Sequence, residues 1–236
     1  MYNDITPIRS TTSAGDVTFA ATNSSSTITA TDTSHGAVAG DFVTFSDAAS
    51  LGGNITATVL NQEYEIVSIP TSNTFTFVAK DTSGTEVTAN GSDSGNGGSS
   101  TVGTYQINVG LDVFVSSTGW GVDTWGAGTW GSSTALSLNN QLRLWTIDNF
   151  GDDVIAAPRG GPIYYWDESS GLGTRAVLAS SRSGASNTPV AVSQLLMSDV
   201  DRHVIALGCN PIGSSTIDPL LVRFSDSENA VDWTPS

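Results

Sequence analysis

Along the first third of the chain, apolar residues recur at every second position in short stretches. Thr27-Ile28-Thr29-Ala30-Thr31 sets Ile28 and Ala30 on one side. Asp41-Phe42-Val43-Thr44-Phe45 carries apolar residues on both faces. Tyr64-Glu65-Ile66-Val67-Ser68-Ile69 places Tyr64 and Ile66 together, and Thr74-Phe75-Thr76-Phe77-Val78-Ala79 pairs Phe75 with Phe77. A period of two over five or six residues predicts strands. His35-Gly36, Gly40-Asp41, Gly52-Gly53 and Ser72-Asn73 supply the turns between them. The opening stretch Met1 to Arg9 reads as extended, because Pro7 keeps Thr6 out of the α region. Such a run of short strands, packed into about 70 residues, predicts a small antiparallel barrel or sandwich.

Beyond it the pattern changes. Asn90 to Gly103, NGSDSGNGGSSTVG, holds little but glycine and serine and reads as a flexible linker or a long exposed loop. A domain boundary is expected there. Alternation returns in Tyr105-Gln106-Ile107-Asn108-Val109. Trp120, Trp125 and Trp130 then follow at intervals of five among glycines. An odd interval sends successive side chains to opposite faces of a straight strand, and the glycines argue against one straight strand. From Leu142 a longer repeat emerges: Val154-Ile155-Ala156 returns 50 residues later as Val204-Ile205-Ala206. Each copy is followed by a strand-like segment, Ile163 to Asp167 in the first and Leu221 to Asp226 in the second. A repeat of about 50 residues built from several strands reads as β-propeller blades, since one blade cannot bury both faces and must stack on neighbours. A propeller needs about four blades or more, so these residues read as part of a larger body. The expected division is residues 1–9 as a strand of the main body, 10–103 as a small barrel ending in the linker, and 104–236 as incomplete propeller-like blades.

Composition narrows the function classes. Of the 236 residues, Ser, Thr and Gly number 33, 29 and 25, and this scarcity of helix formers agrees with an all-β chain. Acidic residues outnumber basic ones 23 to 8, giving a net charge of −15, and Lys80 is the single lysine. Basic patches for phosphate are not expected. No apolar run approaches the ~18 residues of a membrane span, and no basic segment precedes an apolar one as in a secretory signal. Cys209 alone cannot build a disulfide framework.

The candidate chemistry is thin. Only His35 and His203 could serve a serine nucleophile, and no G-x-S-x-G elbow occurs. Asp152-Asp153 and Asp199-Val200-Asp201 lack the glycine and terminal glutamate of a calcium loop and read as solvated turn acids. Asp167-Glu168 and Asp226-Ser227-Glu228 follow corresponding strands; paired carboxylates can hydrolyse glycosides, but acids after strand ends are more often turn formers. The matches to G-x-G-x-x-G at Gly126–Gly131 and, more loosely, Gly171–Ala176 lack the helix a dinucleotide fingerprint needs. Asn23, Asn54 and Asn90 open formal sequons that chance supplies in a Ser/Thr-rich chain. No cofactor, no metal site and no catalytic residue is expected. Trp120, Trp125 and Trp130 read first as packing or interface aromatics, second as a stacking platform for sugars or bases.

Two resemblances follow from particular strings. Thr33 to Phe45, with H-G-x-x-x-G-D-x-V, then Leu60-Asn61-Gln62-Glu63-Tyr64 and Thr74-Phe75-Thr76-Phe77, resembles a small β-barrel module that recurs as an insertion in tailed-phage virion proteins and is not catalytic. Tyr2 to Arg9, the Trp120–Gly131 repeat, Asp152 to Asp167 and above all Arg223-Phe224-Ser225-Asp226-Ser227-Glu228-Asn229-Ala230-Val231-Asp232-Trp233-Thr234-Pro235 resemble the tail nozzle (tail tube B, hub) proteins of short-tailed phages. Those proteins are longer and hold a complete propeller. The resemblance implies an all-β fold with the small barrel or sandwich inserted into a partial propeller-like body. It implies a non-enzymatic virion component made in the bacterial cytoplasm, forming a homo-oligomeric ring beside other tail and adaptor proteins. DNA would pass through that ring without specific binding, and no membrane would be involved. Acidic walls would let a polyanion slide rather than stick. A receptor- or glycan-binding module of a tail fibre is the alternative, motivated by the tryptophans. A propeller glycosidase rests on scattered carboxylates alone.

Overall fold

The alternating segments do form strands, and the described residues are all-β apart from one four-residue helix and short 3-10 turns. A computed structural model of the chain describes residues 3–110 and 143–235. They fall into two units: Thr6–Asn108, and Met1–Ile5 together with Val109–Ser236.

The Thr6–Asn108 unit holds β1 (Ile8–Thr11), β2 (Thr18–Ala21), β3 (Thr27–Thr31), β4 (Phe42–Ser46), helix α1 (Ala57–Leu60), β5 (Glu63–Glu65), β6 (Ser68–Thr71), β7 (Thr74–Val78) and β8 (Val102–Gln106). Two antiparallel sheets result, ordered β1-β8-β4-β5 and β2-β3-β7-β6. They form a sandwich, not a closed barrel. The alternation explains the core: Ile28 pairs with Phe77 and Ala30 with Phe75, all inward and buried. From the other sheet come Val43, Phe45, Tyr64 and Tyr105. Phe45 meets Phe19 edge-on at 4.9 Å and stacks on Phe75 at 6.3 Å. Burying each such side chain contributes about 1.5–3 kcal/mol. The stretch from Tyr64 to Ile69, expected as one strand, is divided between the sheets. Ile66 donates its N–H to the Asp41 carbonyl, and Val67 donates to the Thr76 carbonyl of the opposite sheet.

The Gly/Ser stretch is not a linker. Gly95 donates to the Leu51 carbonyl, Ala49 to that of Gly97, Phe19 to that of Asn96 and Gly15 to that of Thr101, at 2.7–2.9 Å. Its glycines serve close approach. A Cβ on Gly97 (φ +91°) would stand 2.5 Å from the Phe19 ring. The sandwich also begins earlier than residue 10. The strand of Ile8–Thr11 pairs with β8, and Arg9 binds Asp41 at 3.0 Å.

The second unit holds β9 (Trp145–Phe150), β10 (Asp153–Pro158), β11 (Tyr164–Trp166), β12 (Val177–Leu178), β13 (Val192–Met197), β14 (Val204–Cys209) and β15 (Asp218–Phe224). They make two antiparallel meanders, β12-β11-β10-β9 and β13-β14-β15. The repeated Val-Ile-Ala strings lie in β10 and β14, each the second strand of its meander. A core of Ile155, Ala157, Tyr165, Leu195, Val204 and Ala206 lies between the sheets, closed by Trp233. Trp233 donates its main-chain N–H to Ser186 and its indole N–H to the Ala230 carbonyl. No described helix is long and apolar enough to cross a membrane.

Candidate functional site

Trp120, Trp125 and Trp130 lie outside the described residues. The two histidines stand in different units and different settings. His35 is buried against Phe75 and Tyr105, and its Nδ1 accepts the Ala37 N–H. Nε2 therefore carries the proton, and it has no partner among the described residues. His203 immediately precedes β14 with Nδ1 facing the Ser225 carbonyl at 2.8 Å, so that nitrogen donates.

The carboxylates are turn and cap residues. Asp167 accepts the Ser169 N–H and hydroxyl and pairs with Arg182 at 2.8 Å. The Ser169 and Arg182 contacts hold its carboxyl below the usual range. Asp153 accepts the Tyr165 hydroxyl and the Glu168 N–H. Burial, then the hydrogen bond to Asp153, raise the Tyr165 ionisation above its ordinary value. Asp226 accepts the Ser227 N–H. Among the described residues no three His, Cys, Asp or Glu side chains form a metal cluster. Gly171 ends a 3-10 turn, and no α-helix follows it among the described residues. Asn54 and Asn90 spend their amides on the Thr88 carbonyl and on each other.

Two features of the second unit are open to partners. The first is β15, the end strand of its sheet. Cross-strand register aligns Leu196, Ile205 and Phe224 on one face, with Gln194, Leu207 and Val222 beside them. Leu220, Val222 and Phe224 are 89%, 54% and 64% exposed. The same sheet's other edge is treated differently: Thr146 Oγ1 and the Asp148 carboxylate accept the Leu195 and Met197 N–H groups of β13. One edge is thus capped by side chains, and no described strand pairs with the other. A long apolar edge is an association site.

The second feature is a cleft of about 460 Å³ between the two meanders, lined by Trp145, Arg159, Ser193, Gln194, Leu207 and Pro219. Gly160 donates to the Val192 carbonyl at 2.7 Å, and Val192 returns a bond to Gly161. This bridge sets the Arg159 turn beside Ser193 and Gln194. A bulge at Gly208 shifts the β14–β15 register there. Gly208 has φ +59°, and a Cβ on it would stand 2.9 Å from the Ser193 hydroxyl.

Sequence reasoning did not single out Arg159, Asp93 or the inner role of Asp41. Asp41 is 2% exposed and accepts from Arg9 and from the Val38 and Asn108 N–H groups. The Gly40-Asp41 signal could have exposed it; Arg159 had no signal beyond the rarity of basic residues.

No protein-family model matches the chain, and no curated protein matches it. A solved structure titled phage phi92 endosialidase aligns with 91% of this chain and 38% of its own, at 14% identity and a TM-score of 0.26. The chain thus spans well under half of that structure's length, and a superposition this loose carries no argument about fold or role.

Proposed function

We propose that this chain is a structural, non-enzymatic component of a phage tail, a subunit of a nozzle or hub ring lining part of the DNA exit channel. The observation that carries the reading is the open β15 edge with its apolar face. It coincides with the string of strongest family resemblance, Arg223 to Pro235, which runs from β15 into the core at Trp233. A subunit built to assemble needs such a surface, and the Leu220–Val222 stretch between Pro219 and Arg223 carries no charge or proline. The sheet face opposite Leu195 and Ala206 carries Leu196, Ile205, Leu207, Val222 and Phe224, as in a layer stacked against a neighbour. The charge of −15 suits a wall past which DNA slides. On this reading, neighbouring tail and adaptor proteins would complete the assembly, and the chain would belong to the virion.

Light scattering with negative-stain microscopy tests this. The wild-type chain is expected as rings or tubes, and Val222→Lys with Phe224→Lys as a folded monomer. A wild-type chain that stays monomeric at high concentration would refute the reading.

A further inference from the structure

We infer that the cleft between the meanders is a binding site for an acidic sugar, one ring bearing a single carboxylate. This goes beyond the tail reading and does not depend on it.

The first ground is an arginine without a counterion among the described residues. Arg9, Arg175, Arg182 and Arg202 pair with Asp41, Asp4, Asp167 and Glu228. Arg223 donates to the carbonyls of Asn210 and Asn187. Arg159 spends its main-chain N–H on the Leu144 carbonyl, and its guanidinium has no partner among the described residues. In a chain with 23 acidic and 8 basic residues, unneutralised positive charge is scarce, and here it borders a cleft.

The second ground is what accompanies it. The Ser193 hydroxyl and Gln194 amide also lack described partners, and both line the cleft. Gly208 keeps the space beside the Ser193 hydroxyl clear. Trp145, Leu207 and Pro219 provide apolar lining. The volume lies within the range of small-molecule sites, about 300–1,000 Å³, which combine apolar walls with a few convergent polar groups.

These groups select the ligand class. A planar guanidinium matches a carboxylate bidentately. An amide and a hydroxyl, each able to donate and accept, match sugar hydroxyls. Apolar side chains cover the C–H face of the ring. A phosphate dianion or polyphosphate fits less well, because one arginine faces it within a field of net charge −15 that repels multivalent anions more strongly.

Calorimetric titration of the whole chain with glucuronic acid tests the inference, with glucose and acetate as controls. Glucuronic acid is expected to bind, and glucose and acetate each at least tenfold more weakly. Arg159→Gln should weaken glucuronic acid at least tenfold and Gln194→Leu severalfold. Both sites are exposed, and circular dichroism checks that the variants fold. Arg202→Gln, which removes the same charge elsewhere, should leave binding unchanged. Absence of glucuronic acid binding overturns the proposal, as does glucose or acetate of equal affinity, or an Arg159→Gln variant that binds like the wild type.

Discussion

Replacing Asp93 by asparagine should remove a large part of the sandwich's stability. The Asp93 side chain is 6% exposed and sits in the Gly/Ser stretch. Its Oδ1 accepts the N–H groups of Gly53 and Ile55, both at 2.9 Å. Its Oδ2 accepts those of Asn54 at 3.2 Å and Asn90 at 2.7 Å. Burial pushes its pKa up, but the four N–H groups outweigh burial and hold it below the usual carboxylate value. Asparagine keeps one oxygen. In either orientation its amide NH2 faces one pair of backbone donors, so two charge-assisted bonds are lost and two donors are stranded. At about 1.5–3 kcal/mol for each such bond, the loss is about 3–6 kcal/mol. That is a large share of a domain's ~5–15 kcal/mol. Urea unfolding followed by circular dichroism and amide hydrogen exchange measures it. All six tryptophans lie outside Thr6–Asn108, so their fluorescence follows the other unit and should stay unchanged. Because the folded pKa is depressed, the wild-type contribution is fully present above the unfolded value of about 3.9 and is lost as pH falls through the folded one. The variant should lack that acid-dependent loss. A destabilisation under about 1 kcal/mol, or one shared by the tryptophan-reporting unit, would refute the reasoning.

Two further outcomes are expected. The Tyr105 hydroxyl donates to buried Asp32 at 2.6 Å, and burial, then that bond, raise its ionisation well above the ordinary value. The raised value means that its contribution is present below about pH 10 and lost as pH rises further, so Tyr105→Phe should cost about 1–3 kcal/mol at neutral pH and weaken the alkaline unfolding seen in tyrosinate absorbance. The Cys209 thiol is fully buried, and burial raises its pKa although Arg223 pulls the other way. It should react with an aromatic disulfide reagent only on unfolding, and fast reaction of the native chain would contradict its placement.

The sequence by itself determined the strands at Thr27–Thr31 and Thr74–Val78 and their inward residues. Ile28, Ala30, Phe75 and Phe77 were legible because a two-residue period is a local property and only one face of each sheet is buried. The Val-Ile-Ala repeat likewise marked the second strands of two meanders. Tertiary structure decided what depends on long-range partners. The segment from Tyr64 to Ile69 alternates without interruption, yet it splits because Ile66 and Val67 find hydrogen-bond partners in different sheets. The Gly/Ser stretch has a linker's composition, but composition does not reveal that Asp93, some 40 residues from its partners Gly53, Asn54 and Ile55, gathers their N–H groups. Arg159 carries no local mark either. Its guanidinium, without a partner among the described residues, stands out only against the ion pairs of Arg9, Arg175, Arg182 and Arg202, because a counterion is a property of three-dimensional neighbours and not of sequence neighbours.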